Sequence, residues 1–356
     1  MATATSKSSL IPALTGFRGI GAVWVVLYHL FPENLPVISL GYQGVDLFFI
    51  LSGFVLTRVH WKDFDDGYSL SKYVRFLLLR LVRIYPLHIT VLIVLAIAVF
   101  TLPGFTQRYE QPDHFGASQL IATALLVQNW RMGNVSLWNE PSWSLSAEWL
   151  AYIFFPLAIL IASSIRWTLK PLFAIAAILA IYVICAAAGH PKLTEAGNVG
   201  LIRMAGEFFS GCVLCQFVMD TRSASAPWGK VTLLSTLLLG FGLLSPSLPV
   251  LSYLGFAGLI ASAAASNGAA STVMAAYPIV FLGEISFSLY LCHWPLIQVR
   301  NWMSDHVTMN TWWSSVALLP IIGTVSVLGW YYVERPSRAI GRKLIDLKWS
   351  LYRAPA

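Results

Sequence analysis

Arg18 and His29 stand eleven residues apart in GFRGIGAVWVVLYHLF, an otherwise apolar run. That spacing is close to three helical turns, so the two share a helix face with an axial offset of about 16 Å. An imidazole can take a proton from a hydroxyl near neutral pH, and a guanidinium grips phosphate or carboxylate oxygens. Asp46 lies near the start of a second apolar run, GYQGVDLFFILSGF, at a depth similar to that of His29. A carboxylate bonded to one imidazole nitrogen fixes the tautomer, so His29 and Asp46 read as a general-base pair. The plainer readings are a snorkelling Arg18, a hydrogen-bonded structural His29, and Asp46 as the cap of the second run.

Four further segments put polar groups where apolar ones dominate. YVRFLLLRLVRIYP carries Arg75, Arg80 and Arg83, with Lys72 just before them. Arginines suit bidentate phosphate binding, although a basic run beside a membrane also serves as an orientation signal or a lipid contact. NEPSWSLSAEWLAY sets Glu148 among Trp143, Ser144, Ser146 and Tyr152, either a site for a sugar or hydroxyl or a structural polar network. FLGEISFSLYLCHWPL holds Glu284, Tyr290 and His293, and Arg203 with Glu207 is an i, i+4 ion pair. Trp130, Trp138 and Trp143 are candidate sugar platforms, with ordinary interfacial tryptophans the preferred reading. Cys212 and Cys215 form a lone C-x-x-C with no second pair, so no metal site is expected.

Composition fixes what must position these groups. The 356 residues are 57% hydrophobic and 11% charged, with mean hydropathy +0.69. A soluble domain carries roughly 25% charged residues. The balance excludes a disordered chain and a soluble enzyme. It requires an all-α, polytopic integral membrane helix bundle. Runs long enough to cross the bilayer lie at 14–31, 40–59, 84–102, 142–162, 167–188, 201–218, 231–244, 249–265, 278–300 and 312–333, ten spans in all. The pair around 245–249 could instead form one kinked hairpin, and 117–128 is too short to span.

With the N-terminus inside, the inner face holds Lys7, the six Lys and Arg from Arg58 to Arg83, Arg166, Lys170, Arg222, Lys230 and the six from Arg335 to Arg353. The outer face holds only Arg108, Arg131, Lys192 and Arg300. This bias places both termini in the cytoplasm and accounts for the net charge of +7 without nucleic acid as a partner. The first run has no cleavage pattern after it and reads as a retained span. The expected organisation is a cytoplasmic segment 1–13, a membrane domain 14–336 and a basic cytoplasmic tail 337–356.

Six pieces in order give the chain a family likeness: Arg18 with His29, GVDLFFILSGF, Arg80 and Arg83 followed by IYP, PSWSLSAEW, SFSLYLCHWPL, and VERP at Glu334 to Pro336. Together they resemble the membrane acyltransferase-3 family, bacterial O-acyltransferases that modify surface polysaccharides, lipopolysaccharide or small molecules. The resemblance implies an enzyme of the bacterial inner membrane that moves an acyl group, usually acetyl, from acyl-coenzyme A to a hydroxyl. It implies that Arg18, Arg80 and Arg83 bind the donor and that the first-span histidine is essential. His29 then acts as general base or transient acyl carrier, with Asp46 and Glu148 in the catalytic set and Trp143, Tyr290 and His293 on the acceptor side. Expected partners are acyl-coenzyme A (acetyl-CoA) as co-substrate, a sugar or other hydroxyl acceptor, the bilayer, and polysaccharide biosynthesis or export proteins. Some relatives carry a fused hydrolase-like domain that is absent from these residues, so direct transfer to the acceptor or to a separate protein is expected. The competing readings are a transporter or channel with an intramembrane proton or substrate path, and a non-catalytic subunit of an export complex.

Overall fold

The structure is a computed structural model that describes residues 11–353 except 32–34, 66, 68, 109–114, 131–137, 191–192, 195 and 267. Residues 1–10 of the expected N-terminal segment, Arg131, Lys192 and the tail residues 354–356 lie outside the described residues. Among the described residues every regular element is helical. The α-helices are α1 (Pro12–Leu30), α2 (Gly44–His60), α3 (Lys62–Asp65), α4 (Leu70–Thr101), α5 (Ala117–Ala124), α6 (Ser142–Ser164), α7 (Lys170–Ala187), α8 (Gly197–Met219), α9 (Trp228–Leu244), α10 (Pro249–Ala265), α11 (Ala269–Met274), α12 (Tyr277–Glu284), α13 (Ser286–His306), α14 (Thr311–Gly329) and α15 (Arg335–Arg353). A π-helical turn, Trp330–Glu334, joins the last two.

Among the described residues, seven helical stretches are long and apolar enough to cross a membrane: Pro12–Leu30, Ile38–His60, Leu70–Thr101, Ser142–Ser164, Trp167–Ala187, Gly197–Met219 and Thr311–Ser350, the last with α14 as its apolar part. α12 and α13 form an eighth, broken by a 62° bend. α9 and α10 have 17 residues each, about 25 Å of helix against a hydrocarbon core of about 30 Å. Pro246 and Pro249 in the connection stop both helices short, and Pro249 opens α10. These two helices are what separates the expected ten spans from the structure's seven or eight.

α4 starts at Leu70, well before the apolar run at 84, because nothing in SKYVRFLLLRLVRIY breaks a helix and its leucines recur at helical spacing. Pro86 lies inside it. The basic cluster therefore sits on a helix continuous with the span, which aims Arg80 and Arg83 into the bundle and leaves Arg75 at the surface.

Close backbone approach fixes the centre. A Cβ on Gly53 of α2 would collide with the backbone of Phe208 on α8, and one on Gly211 of α8 with that of Ile50 on α2. Gly19 of α1 and Gly283 of α12 press against each other's helices in the same way. Without a hydrophobic drive between helices in lipid, such small-residue crossings are how spans associate. They hold α1 against α2, α12 and α13, the elements that bear the chemistry.

Candidate active site

Arg18 of α1, Arg83 of α4, Glu148 and Ser144 of α6, and Tyr290 of α13 line one cavity, closed by Phe48 and Phe49 of α2. Ser52 of α2 donates to Glu148 Oε1 at 2.6 Å, and Tyr290 Oη shares a 2.7 Å hydrogen bond with Ser144 Oγ while donating to the Pro141 carbonyl at 2.9 Å. Arg80, one turn before Arg83, has its guanidinium over the Phe76 ring at 5.9 Å. Among the described residues, no carboxylate lies within ion-pair distance of Arg18, Arg80 or Arg83. The Arg80 Nε is buried without a hydrogen-bond partner. Three converging cations with the single carboxylate of Glu148 beside them carry excess positive charge, which an entering anion would offset. The room inside is about 70 Å³, space for about two waters, so an entering ligand arm must turn the aromatic side chains aside.

One turn beyond Tyr290 on α13 stands His293, whose ring centroid is 6.0 Å from that of Tyr290. His293 Nε2 is 3.1 Å from His29 Nδ1. The carbonyls around the two rings assign their protons. His293 Nδ1 faces the Leu289 carbonyl at 3.2 Å, and a carbonyl only accepts, so Nδ1 carries the hydrogen and Nε2 of the neutral ring is a bare acceptor. His29 Nδ1 faces the Val25 carbonyl at 3.0 Å as well as His293 Nε2, so it donates to both. His29 Nε2 is left with its lone pair and no hydrogen bond within the described residues. Trp294 packs edge-on against His29, with ring centroids 5.2 Å apart, and holds its plane.

Asp46 does not pair with His29. It is fully buried and faces α8, where its Oδ1 accepts from Arg203 Nε at 2.8 Å and Nη2 at 2.5 Å. Glu207 and Tyr253 lie close to the same ion pair. The general-base pair read from the sequence is corrected here; Arg203 bonds to Asp46, with Glu207, four residues on, beside them. The α2–α8 crossing turns the Asp46 side of α2 toward Arg203, and both Glu207 carboxylate oxygens lack a hydrogen bond. The partner of His29 is a second histidine, 264 residues away.

Trp143 also stands apart from the cavity, packed on Phe49 and 5.7 Å from the Arg203 guanidinium. Trp138 is buried against Phe105 and Phe115, so it is no platform. The Trp130 indole donates to the Ser146 carbonyl. The segment after α5 folds back onto the start of α6, with Gln128 donating to the Ser142 carbonyl and the Asn129 amide to Ser146 Oγ. Ser52 belongs to the site and was not singled out in the sequence; it sits in GVDLFFILSGF, and nothing local marks it. Glu334 of the VERP piece is buried and accepts from Ser288 and Arg338, tying α13 to the last helix. Glu284 is exposed.

A separate cleft of about 500 Å³ opens between the end of α2, the start of α4 and α15. Asp63 there bonds to His60, and this bond, with Arg75 and Lys72 nearby, holds its carboxyl below the usual range.

An acyltransferase-domain family matches residues 11–335, nearly the whole chain. Among curated proteins, the chain is 25% identical to peptidoglycan O-acetyltransferase OatA of Listeria monocytogenes, covering 93% of this chain and 56% of that protein. It is 23% identical to the putative peptidoglycan O-acetyltransferase YrhL of Bacillus subtilis, covering 98% and 58%. It is 28% identical to acyltransferase MdmB of Streptomyces mycarofaciens, covering 94% and 93%. The chain thus spans little more than half the length of the first two relatives and almost all of the third. No solved structure matches it.

Proposed function

This chain belongs to the membrane acyltransferase-3 family, and on that premise we propose that it moves an acetyl group from cytoplasmic acetyl-coenzyme A to a sugar hydroxyl of a cell-surface or exported polysaccharide. The observation that carries the reading is the placing of two kinds of group along α1, Arg18 in the arginine cavity and His29 against His293. Three guanidiniums, none in an ion pair and with Glu148 as the carboxylate beside them, stand toward one end, and an imidazole with a free Nε2 stands at the other.

The donor's phosphates lie on Arg83, Arg80 and Arg18. Its pantetheine arm then follows α1 past Tyr290, and the offset of about 16 Å between Arg18 and His29 is comparable to the reach of that arm. The thioester carbonyl arrives beside His29. His29 Nε2 takes the proton of the acceptor hydroxyl as the oxygen attacks the carbonyl carbon, and the carbon–sulfur bond breaks. The proton passes from Nε2 to the departing thiolate, leaving ester and free coenzyme A. His293 accepts from His29 Nδ1 throughout, holds the tautomer, and shares the positive charge of the intermediate imidazolium. Ser144 and Tyr290 supply hydroxyls along the wall. Attack by Nε2 itself on the thioester would give a two-step route through the same atom.

The same reading sets the topology. The seven long spans, the bent α12–α13 pair, α9 and α10 make ten crossings, with both termini in the cytoplasm of a bacterial inner membrane, as the lysine and arginine distribution supports. The test is equilibrium binding of acetyl-coenzyme A to the protein in nanodiscs. Wild type is expected to bind, and Arg80→Ala/Arg83→Ala to lose at least tenfold in affinity. Wild type that does not bind the donor would refute the proposal.

A further inference from the structure

α15 was expected to be a basic tail, and the structure makes it an amphipathic helix whose two faces have different partners. Ile340, Leu344 and Leu347 are 60%, 61% and 58% exposed. At 3.6 residues per turn they fall in one stripe, with Lys343 on one flank and Lys348 on the other. The helix carries six Lys and Arg against a single acid, Asp346, which is paired with Arg75.

The other face of α15 is spoken for. Asp346 pairs with Arg75 of α4 at 2.7 Å, the Trp349 indole donates to Ser71 Oγ at 3.0 Å, Ile345 is buried, and Gly341 meets the Val82 side chain. These contacts make α15 one wall of the cleft that Arg75 and Phe76 of α4 also line, one turn before Arg80. Both helices can change direction at one level, since Pro86 lies inside α4 and the π-turn precedes α15, beside the contact of Gly329 with Leu87.

An apolar stripe flanked on both sides by lysines is the pattern of a helix lying in a membrane interface, with the lysine stems reaching along the hydrocarbon and the ammonium groups at the headgroups. We propose that α15 docks through Ile340, Leu344 and Leu347 onto the anionic cytoplasmic leaflet. Docked in this way, it holds Arg75 and the α4 wall of the cleft in place. Anionic headgroups are the matching partner because every charge beside the stripe is positive. The choice of leaflet rests on the topology proposed above; the docking itself does not depend on acyl transfer.

The experiment labels the full chain at Leu344→Cys or Ser350→Cys with an environment-sensitive fluorophore, in nanodiscs of phosphatidylcholine with or without phosphatidylglycerol, and no donor is added. The label at 344 should be quenched by bromolipid and protected from aqueous iodide, more strongly with phosphatidylglycerol, while the label at 350 stays open to iodide. Lys343→Glu/Lys348→Glu should abolish the gain from phosphatidylglycerol. A 344 label open to iodide and untouched by bromolipid in both lipids would overturn the proposal. So would efficient 344–344 cross-linking between copies, which would make the stripe a dimer contact. In sealed vesicles, a 350 label reached only from outside would overturn the leaflet assignment. None of these readings requires turnover, so their failure is distinct from failure of the acyltransferase mechanism.

Discussion

His29 on α1 and His293 on α13 are separated by 264 residues in the chain and by 3.1 Å in space. The contact joins the two helices that also line the arginine cavity, through Arg18 on one and Tyr290 on the other. Proton donor and acceptor are fixed from behind, because each ring's Nδ1 faces a backbone carbonyl one turn earlier on its own helix. A helix that shifts by one residue loses this arrangement, which ties the chemistry to the glycine-mediated packing of α1.

His293 is a positioning residue, and its substitution should act on turnover. His293→Phe keeps an aromatic ring and removes the acceptor for His29 Nδ1; kcat should fall at least tenfold with donor affinity unchanged. His293→Gln restores an acceptor oxygen near the lost Nε2 and should recover part of that loss. Steady-state kinetics with both variants separate this role from packing, since a purely structural histidine would show no rescue by Gln.

Asp46 and Arg203 are expected to matter for folding. Removing one partner of a buried ion pair costs about 3–5 kcal/mol, whereas replacing both with apolar groups is often neutral. Asp46→Leu alone should sharply lower the thermal midpoint in detergent, and Asp46→Leu/Arg203→Met should regain most of it. If the double variant regains stability with kcat intact, Asp46 has no part in the chemistry. If Asp46→Asn is fully stable yet inactive, the catalytic assignment returns.

The arginines can be tested one at a time. A hydrogen bond involving a charged group contributes about 1.5–3 kcal/mol, so Arg18→Ala and Arg83→Ala should each weaken acetyl-coenzyme A binding by roughly tenfold or more. Lysine at position 83 should restore less than half of the lost free energy, because a point charge cannot reproduce the planar fork. Titration of each variant with the donor gives the comparison.

The Gly53–Gly211 crossing predicts a packing defect with no charge involved. Gly53→Leu places a branched side chain where a single Cβ already meets the Phe208 backbone. Overpacking of this kind costs about 1–3 kcal/mol or more. The variant should show a lowered midpoint and raised protease sensitivity, while Gly229→Ala, in open space, should leave both unchanged.

Hydropathy located the helices because membrane spans announce themselves one by one. The runs at 142–162 and 167–188 end within two residues of α6 and of the Trp167–Ala187 stretch. The break at Ile285 was not legible, since SFSLYL reads as an uninterrupted apolar run and the 62° bend is set by packing of α12 on α1. The shortness of α9 and α10 was visible only as a doubt about the proline-bearing turn. Arg18, His29, Glu148, Tyr290 and His293 were each conspicuous as polar groups among apolar ones, yet which would meet was not. Depth along a span can be counted, but the rotation of a helix about its axis depends on its neighbours. That is why Asp46, at a suitable depth, turned to Arg203, and His293 took its place beside His29.

The central claim is that His29 Nε2 does chemistry and that donor binding lies elsewhere. Its most direct test is single-turnover release of coenzyme A from acetyl-coenzyme A by the nanodisc-held protein with a sugar acceptor, comparing wild type with His29→Ala, alongside donor affinity. A general base contributes about 10²–10⁴-fold; the variant should lose that much in rate and keep its donor affinity, as a group acting only in the transition state does. A His29→Ala protein that releases coenzyme A at the wild-type rate would contradict the account.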